Sequence, residues 1–216
     1  MSRKMKQTGP HLLMSVVGAL VFAAFVVGPG SVAFGEDLSS DQLVKSLKAK
    51  PVKRLTRGLG APKVDKERIK SRGLVIEVSK KAVHEQTLED RNELVKIVEK
   101  YKLPSIDLTI YFDYNSAKIT PRSIPTLVKL GQALLHKDLT EGTFLVGGHT
   151  DAKGGDDYNL KLSQRRALAV KTFLIETFQI KGAKLVAVGF GEEKLKDVDY
   201  PESGENRRVQ VTNLSH

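Results

Sequence analysis

The sequence predicts helices packed against one mixed sheet, an α/β or α+β sandwich, in residues 105–216. Strand-like and helix-like stretches alternate there, the pattern of a layered domain. About 110 residues bury roughly 65% of their unfolded surface, enough for an independent core. The formal net charge of +10 also lies mostly elsewhere: residues 1–35 carry +3, residues 36–104 carry +6, and residues 105–216 only +1.

The chain opens with Arg3, Lys4 and Lys6, then an uncharged apolar run from Leu12 to Val27 that stops at Gly28-Pro29-Gly30. Small residues follow, and the first acids are Glu36 and Asp37. These are the three parts of a secretory signal peptide, assigned to residues 1–35. At about 1.5 Å per residue the run spans roughly 24 Å, short of the ~30 Å hydrocarbon core of a bilayer. Cleavage is therefore the expectation, an uncleaved anchor the alternative.

Residues 36–104 read as a basic linker with short helices. Asp41–Lys50 is expected to form a helix with Leu43, Val44 and Leu47 on one side, ended by Pro51. Residues 51–72 read as linker, and Gly73–Val78 as a strand. Thr87 is an expected N-cap with Asp90 at N3, opening a helix whose apolar face is Leu88, Leu94, Val95 and Val98.

In the C-terminal part, Ser105–Phe112 alternates as a strand. Thr120-Pro121 opens a helix to about His136, with Ile124, Leu127, Leu130 and Leu134 inward. Thr143–His149 is a second strand and Tyr158–Phe178 a long helix. Lys184–Gly191 and Arg207–Thr212 complete the sheet.

Around the long helix, Asn159 and Arg166 fall at about 260° and 240° from Leu160, between two apolar stripes. Arg165 faces outward, whereas Arg166 points into a mostly covered arc. A covered guanidinium needs a carboxylate, from the protein or from a ligand. Asp151 follows the second strand directly, across a short glycine-containing loop from the helix start. Asp151, Asn159 and Arg166 can converge there beside spare helix-start N–H groups, a set suited to a zwitterion.

The stretch GHTDAKGGDDYNLKLSQRRALAV, followed by GFGEE and NRRVQV and preceded by IYFDYNSAKITP, resembles the OmpA-like, peptidoglycan-associated domain family. Four blocks occur in order over about residues 105–213. The resemblance implies an α+β domain of βαβαββ order that binds peptidoglycan without covalent linkage. It implies that Asp151 holds the ammonium, and Arg166 the carboxylate, of the diaminopimelate in the stem peptide. It further places Asn115, Thr150 and Asn159 along the same pocket and Arg208 at its edge.

Other functions find little support. The basic stretch Lys45–Arg72 has no aromatic residue to stack on bases, so no nucleic-acid partner is expected. Without cysteine there is no thiolate chemistry, Cys-based zinc site or lipid acylation. His149, Asp151 and Ser163 lack a nucleophile elbow, the five histidines lack metal spacing, and His149 reads as a structural hydrogen-bonding residue. The expectation is thus a periplasmic tether without enzyme activity, cofactor or metal, against the cell wall or outer membrane. The alternative is a peptidoglycan-anchored part of a motor or transport assembly held by the uncleaved N-terminal helix. Residues 36–104 are left to engage an outer- or inner-membrane protein, and a homo-oligomer stays open.

Overall fold

Four strands form one mixed sheet in the order β1-β4-β2-β3: β1 Ser105–Leu108, β2 Phe144–His149, β3 Leu185–Gly191 and β4 Val209–Asn213. Strand β4 lies antiparallel to both β1 and β2, and β2 runs parallel to β3. The computed structural model describes residues 38–48 and 65–215. The expected signal peptide lies outside these residues. Among the described residues no helix is long and apolar enough to cross a membrane.

Among the described residues five α-helices accompany the sheet: α1 Ser40–Leu47, α2 Lys66–Lys80, α3 Leu88–Lys100, α4 Ile124–Leu134 and α5 Asp156–Phe178. From β1 onward the order is βαβαββ, as expected. Helices α1, α4 and α5 pack on one face, where Leu47, Leu127, Leu130, Val170 and Leu174 meet Val146 and Val211. On the other face Val75, Val78, Leu94 and Ile97 of α2 and α3 meet Leu145, Val186 and Val188.

This two-sided covering corrects the expectation of linker and strand over residues 66–78; residues 49–64, also expected as linker, lie outside the described residues. Helix α1 begins with a capping box between Ser39 and Gln42. It buries Leu43, Val44 and Leu47 as expected, and the Asn213 side chain donates to the Leu47 carbonyl at 2.9 Å. Residues 66–72, read as linker, and Gly73–Val78, read as a strand, form the single helix α2. Asp65 starts it by accepting from the N–H groups of Glu67 and Arg68, each at 3.1 Å. The run Leu74-Val75-Ile76 suggests a strand, but the pair that is buried is Val75 and Val78, three residues apart. That is helical spacing. Gly73 faces open space and costs the helix about 1 kcal/mol, which the buried valines outweigh.

Helix α3 has the expected Thr87–Asp90 box. Its inner face is Leu94 and Ile97, with Val95 and Val98 partly buried; Leu88, at the first helical position, is exposed. The first strand ends at Leu108 rather than Phe112, which instead bridges to Ile119 across a turn. Before α4, Pro121–Ser123 is a 3₁₀ turn; Thr120 gives no cap, its hydroxyl donating to the Tyr111 carbonyl at 3.1 Å. Ile124, expected inward, is substantially exposed.

Helix α5 lies unusually close to the sheet. A Cβ on Gly148 would sit 2.3 Å from the Ser163 carbonyl oxygen, and one on Gly189 2.5 Å from the Gln164 nitrogen. The Ser163 hydroxyl accepts from the Gly191 N–H at 2.8 Å and donates to the Leu160 carbonyl at 2.7 Å. These contacts fix the start of α5 against the ends of β2 and β3.

Candidate functional site

The site lies where β2 ends and α5 begins. Asp151, two residues beyond β2, is 7% exposed, and its Oδ2 accepts from Arg207 Nη1 at 2.6 Å. Asn159, in the first turns of α5, is 1% exposed. Its Nδ2 reaches the carbonyls of Asp151 at 3.2 Å and Lys153 at 3.0 Å, and also Glu192 Oε2. Asn159 therefore clamps the intervening loop. Thr150 is buried, and its hydroxyl has no hydrogen-bond partner among the described residues.

Two helical turns on, Arg166 is half-buried. Its Nε donates to the Ser116 carbonyl at 3.1 Å, and its guanidinium lies 5.0 Å from the centre of the Phe112 ring. Among the described residues no hydrogen bond engages its two Nη groups, which remain as a fork. Burial, and to a lesser extent Arg207, pulls its pKa below the ordinary arginine value, while Tyr158 and Asp151 raise it. An arginine so placed stays protonated at neutral pH.

Asp151, Asn159, Thr150, Asn115 and Arg166 all line one cavity of about 430 Å³, together with Phe112, Tyr158 and Arg207. Asn115 sits at its exposed mouth with φ 49°, and its Oδ1 accepts from the Tyr158 hydroxyl. The predicted residues thus converge, with two corrections. Of the first four residues of α5, only Tyr158 and Asn159 line the cavity, so Asp156 and Asp157 contribute no N–H group to it.

Arg208 is the second correction. It lies on the other face of the sheet, nearly buried, with Nε 3.3 Å from Asp107 Oδ1 and Nη2 3.1 Å from the Lys194 carbonyl. Its neighbour Arg207 occupies the cavity instead. The signal was in the alternation of RRVQVT: Arg207 shares a face with the core residues Val209 and Val211, Arg208 with Gln210 and Thr212.

His149 faces away from this cavity as well. It is stacked on Phe190, and burial, then the Arg208 charge, push its pKa down to about 3. Both ring nitrogens are sealed from solvent, and the Lys194 backbone is the polar group that acts on the ring. No cluster of potential metal ligands occurs among the described residues.

The chain thus carries a βαβαββ domain in which Asp151, just past a strand end, and Arg166, on the next helix, open into one cavity. Residues 111–209 match the model of the OmpA family, and the chain carries an OmpA family domain. It is similar to outer membrane porin F of Pseudomonas aeruginosa, 35% identical over 108 residues, which are 49% of this chain and 30% of that protein. It is similar to the peptidoglycan-associated lipoprotein of the same organism, 31% identical over 48% of this chain and 60% of that protein. The chain therefore spans less than two thirds of these curated relatives. Among solved structures it resembles the peptidoglycan-associated lipoprotein of Burkholderia pseudomallei, with 30% identity and a TM-score of 0.41 over 48% of this chain and 87% of that one.

Proposed function

We propose that the domain binds peptidoglycan without covalent linkage and tethers this protein to the cell wall on the periplasmic side of a bacterial envelope. Asp151 takes the ammonium of the diaminopimelate in the stem peptide, and Arg166 takes its carboxylate. The observation that carries this reading is the shared cavity: an anion and an uncommitted cationic fork open into one space of about 430 Å³. A carboxylate accepts at both oxygens, so Asp151 can hold Arg207 through Oδ2 and a ligand ammonium through Oδ1. The Arg166 fork matches a carboxylate with two parallel hydrogen bonds. The name of the lipoprotein relative from Pseudomonas aeruginosa supports the same reading. It is a binding role and asks for no catalytic group.

The test is co-sedimentation with purified sacculi. Truncating either member of a buried charged contact costs about 2–3 kcal/mol, roughly a 100-fold loss of affinity. Asp151→Ala and Arg166→Ala should each leave most of the protein in the supernatant while the circular dichroism spectrum is unchanged. Full retention of both variants on sacculi would refute the site.

A further inference from the structure

Helix α5 buries one side on the sheet and turns the other outward along Arg165, Leu168, Ala169, Thr172, Phe173 and Glu176. These six line a shallow groove of about 440 Å³, bordered on one flank by Ala117 and Ile119 from the loop before α4. Leu168 is 45% exposed within it, and Phe173 is only partly covered. Arg165 and Glu176 stand at its two ends, about 16 Å apart along the helix axis. Both are exposed, and among the described residues neither takes part in an ion pair or hydrogen bond.

The order of this stripe is the same read from either end. From Arg165 to Glu176 its members run charged, large apolar, small, small, large apolar, charged, in steps of 3, 1, 3, 1 and 3 residues. Only the end charges differ, and they differ in sign. A two-fold interface sets a surface against its own reverse, so a stripe of this kind is complementary to itself. Laid antiparallel on a second copy, Arg165 comes level with the copy's Glu176, Leu168 with its Phe173, and Ala169 with its Thr172. Small residues at the middle let two helix axes approach closely. A parallel copy would set Arg165 against Arg165 and Glu176 against Glu176, and like charges repel.

We propose that this face of α5 is a homodimer interface, in which two copies of the chain pack their α5 helices antiparallel about a two-fold axis between Ala169 and Thr172. Burial of Leu168 and Phe173 supplies the attraction. The two rim pairs of Arg165 with Glu176 fix orientation and register more than strength. One helix face is a small interface, so the dimer is weak, with a Kd of roughly 10–100 μM. The groove shares no lining residue with the Asp151 cavity, and the pairing does not depend on what that cavity binds.

The experiment is sedimentation of the full chain in mild detergent over a concentration series, with charge-reversal variants. The native chain should pass from one to two copies per particle across that concentration range. Arg165→Glu and Glu176→Arg each set like charges together at both rims, and each should weaken pairing at least ~10-fold. Mixed in equal amounts, the two variants regain both opposite-charge pairs and should associate within a few-fold of the native chain. Leu168→Asp should weaken pairing in every combination. All three positions are exposed, so folding is spared, and circular dichroism checks it. A native chain that stays single throughout the series, variants that pair as the native chain does, or a mixture no stronger than its components would each overturn the proposal.

Discussion

Arg207 Nη1 lies 2.6 Å from Asp151 Oδ2, so the carboxylate meets any ligand with one oxygen already engaged. The pair is asymmetric: the arginine side chain is 51% exposed and the aspartate 10%. Arg207 therefore orients Asp151 more than it stabilises the fold, because solvent screens so exposed a cation.

Replacing Arg207 by alanine should accordingly spare stability and weaken sacculus binding about 3- to 10-fold. The carboxylate loses its fixed rotamer, and a ligand carboxylate loses a second nearby cation. Arg207→Lys should recover most of the loss at low salt, with the recovery fading as salt rises. Co-sedimentation at two salt concentrations reads both effects, and the matching Arg208→Ala variant should leave this cavity's binding nearly unchanged.

Arg166→Lys tests whether geometry or charge matters on the helix side. The native guanidinium is held by the Ser116 carbonyl at 3.1 Å and by the Phe112 ring face. Lysine keeps the charge but offers neither the fork nor the flat face. Binding should fall at least ~10-fold, closer to Arg166→Ala than to the native protein. Near-native affinity would reduce Arg166 to a point charge.

How much of this was legible in the sequence follows from which signals are local. The βαβαββ order and the Asp151–Arg166 convergence could be read because they depend on period, caps and a short loop. Arg208 was misassigned because two adjacent arginines look alike until the strand's alternation is followed back from Val209 and Val211. Helix α2 was missed for a different reason. Its Leu74-Val75-Ile76 run has high strand propensity, and only packing on the sheet's second face selects the helix. Neither the stacking of His149 on Phe190 nor the Asp107 partner of Arg208 could be foreseen, since both arise from strands distant in sequence.

The closeness of α5 to the sheet makes Gly148 a sensitive position. A methyl there would sit 2.3 Å from the Ser163 backbone oxygen, which no rotamer change can relieve. Gly148→Ala should cost about 3 kcal/mol in urea unfolding. It should also weaken sacculus binding, because α5 carries both Asn159 and Arg166.

If α2 and α3 belong to the folded unit, their core residues must contribute to its stability. Leu94 is fully buried against the sheet's second face. Leu94→Ala should lower the unfolding free energy by about 3 kcal/mol in a single transition that also reports the loss of β-sheet. A change below ~0.5 kcal/mol would return residues 65–104 to the status of an appendage.

The buried imidazole makes a pH prediction whose sign is fixed. His149 has a folded-state pKa of about 3, against an ordinary value of 6.5, chiefly through burial. Between those values the unfolded chain binds a proton that the folded chain does not. Stability therefore falls as pH drops below about 6.5, by at most ~1.4 kcal/mol per pH unit, with the loss complete near pH 3. At pH 4.5 the deficit relative to neutral pH should reach about 2–3 kcal/mol. The carboxylates whose pKa values are lowered by lysine partners, Asp90, Glu93 and Asp138, lose their contribution only as pH falls through the carboxylate range. The interval from pH 6.5 to 5 thus isolates His149 from them, and His149→Gln should flatten the urea-midpoint profile there. An equally steep profile in that variant would show that His149 is not the group being protonated.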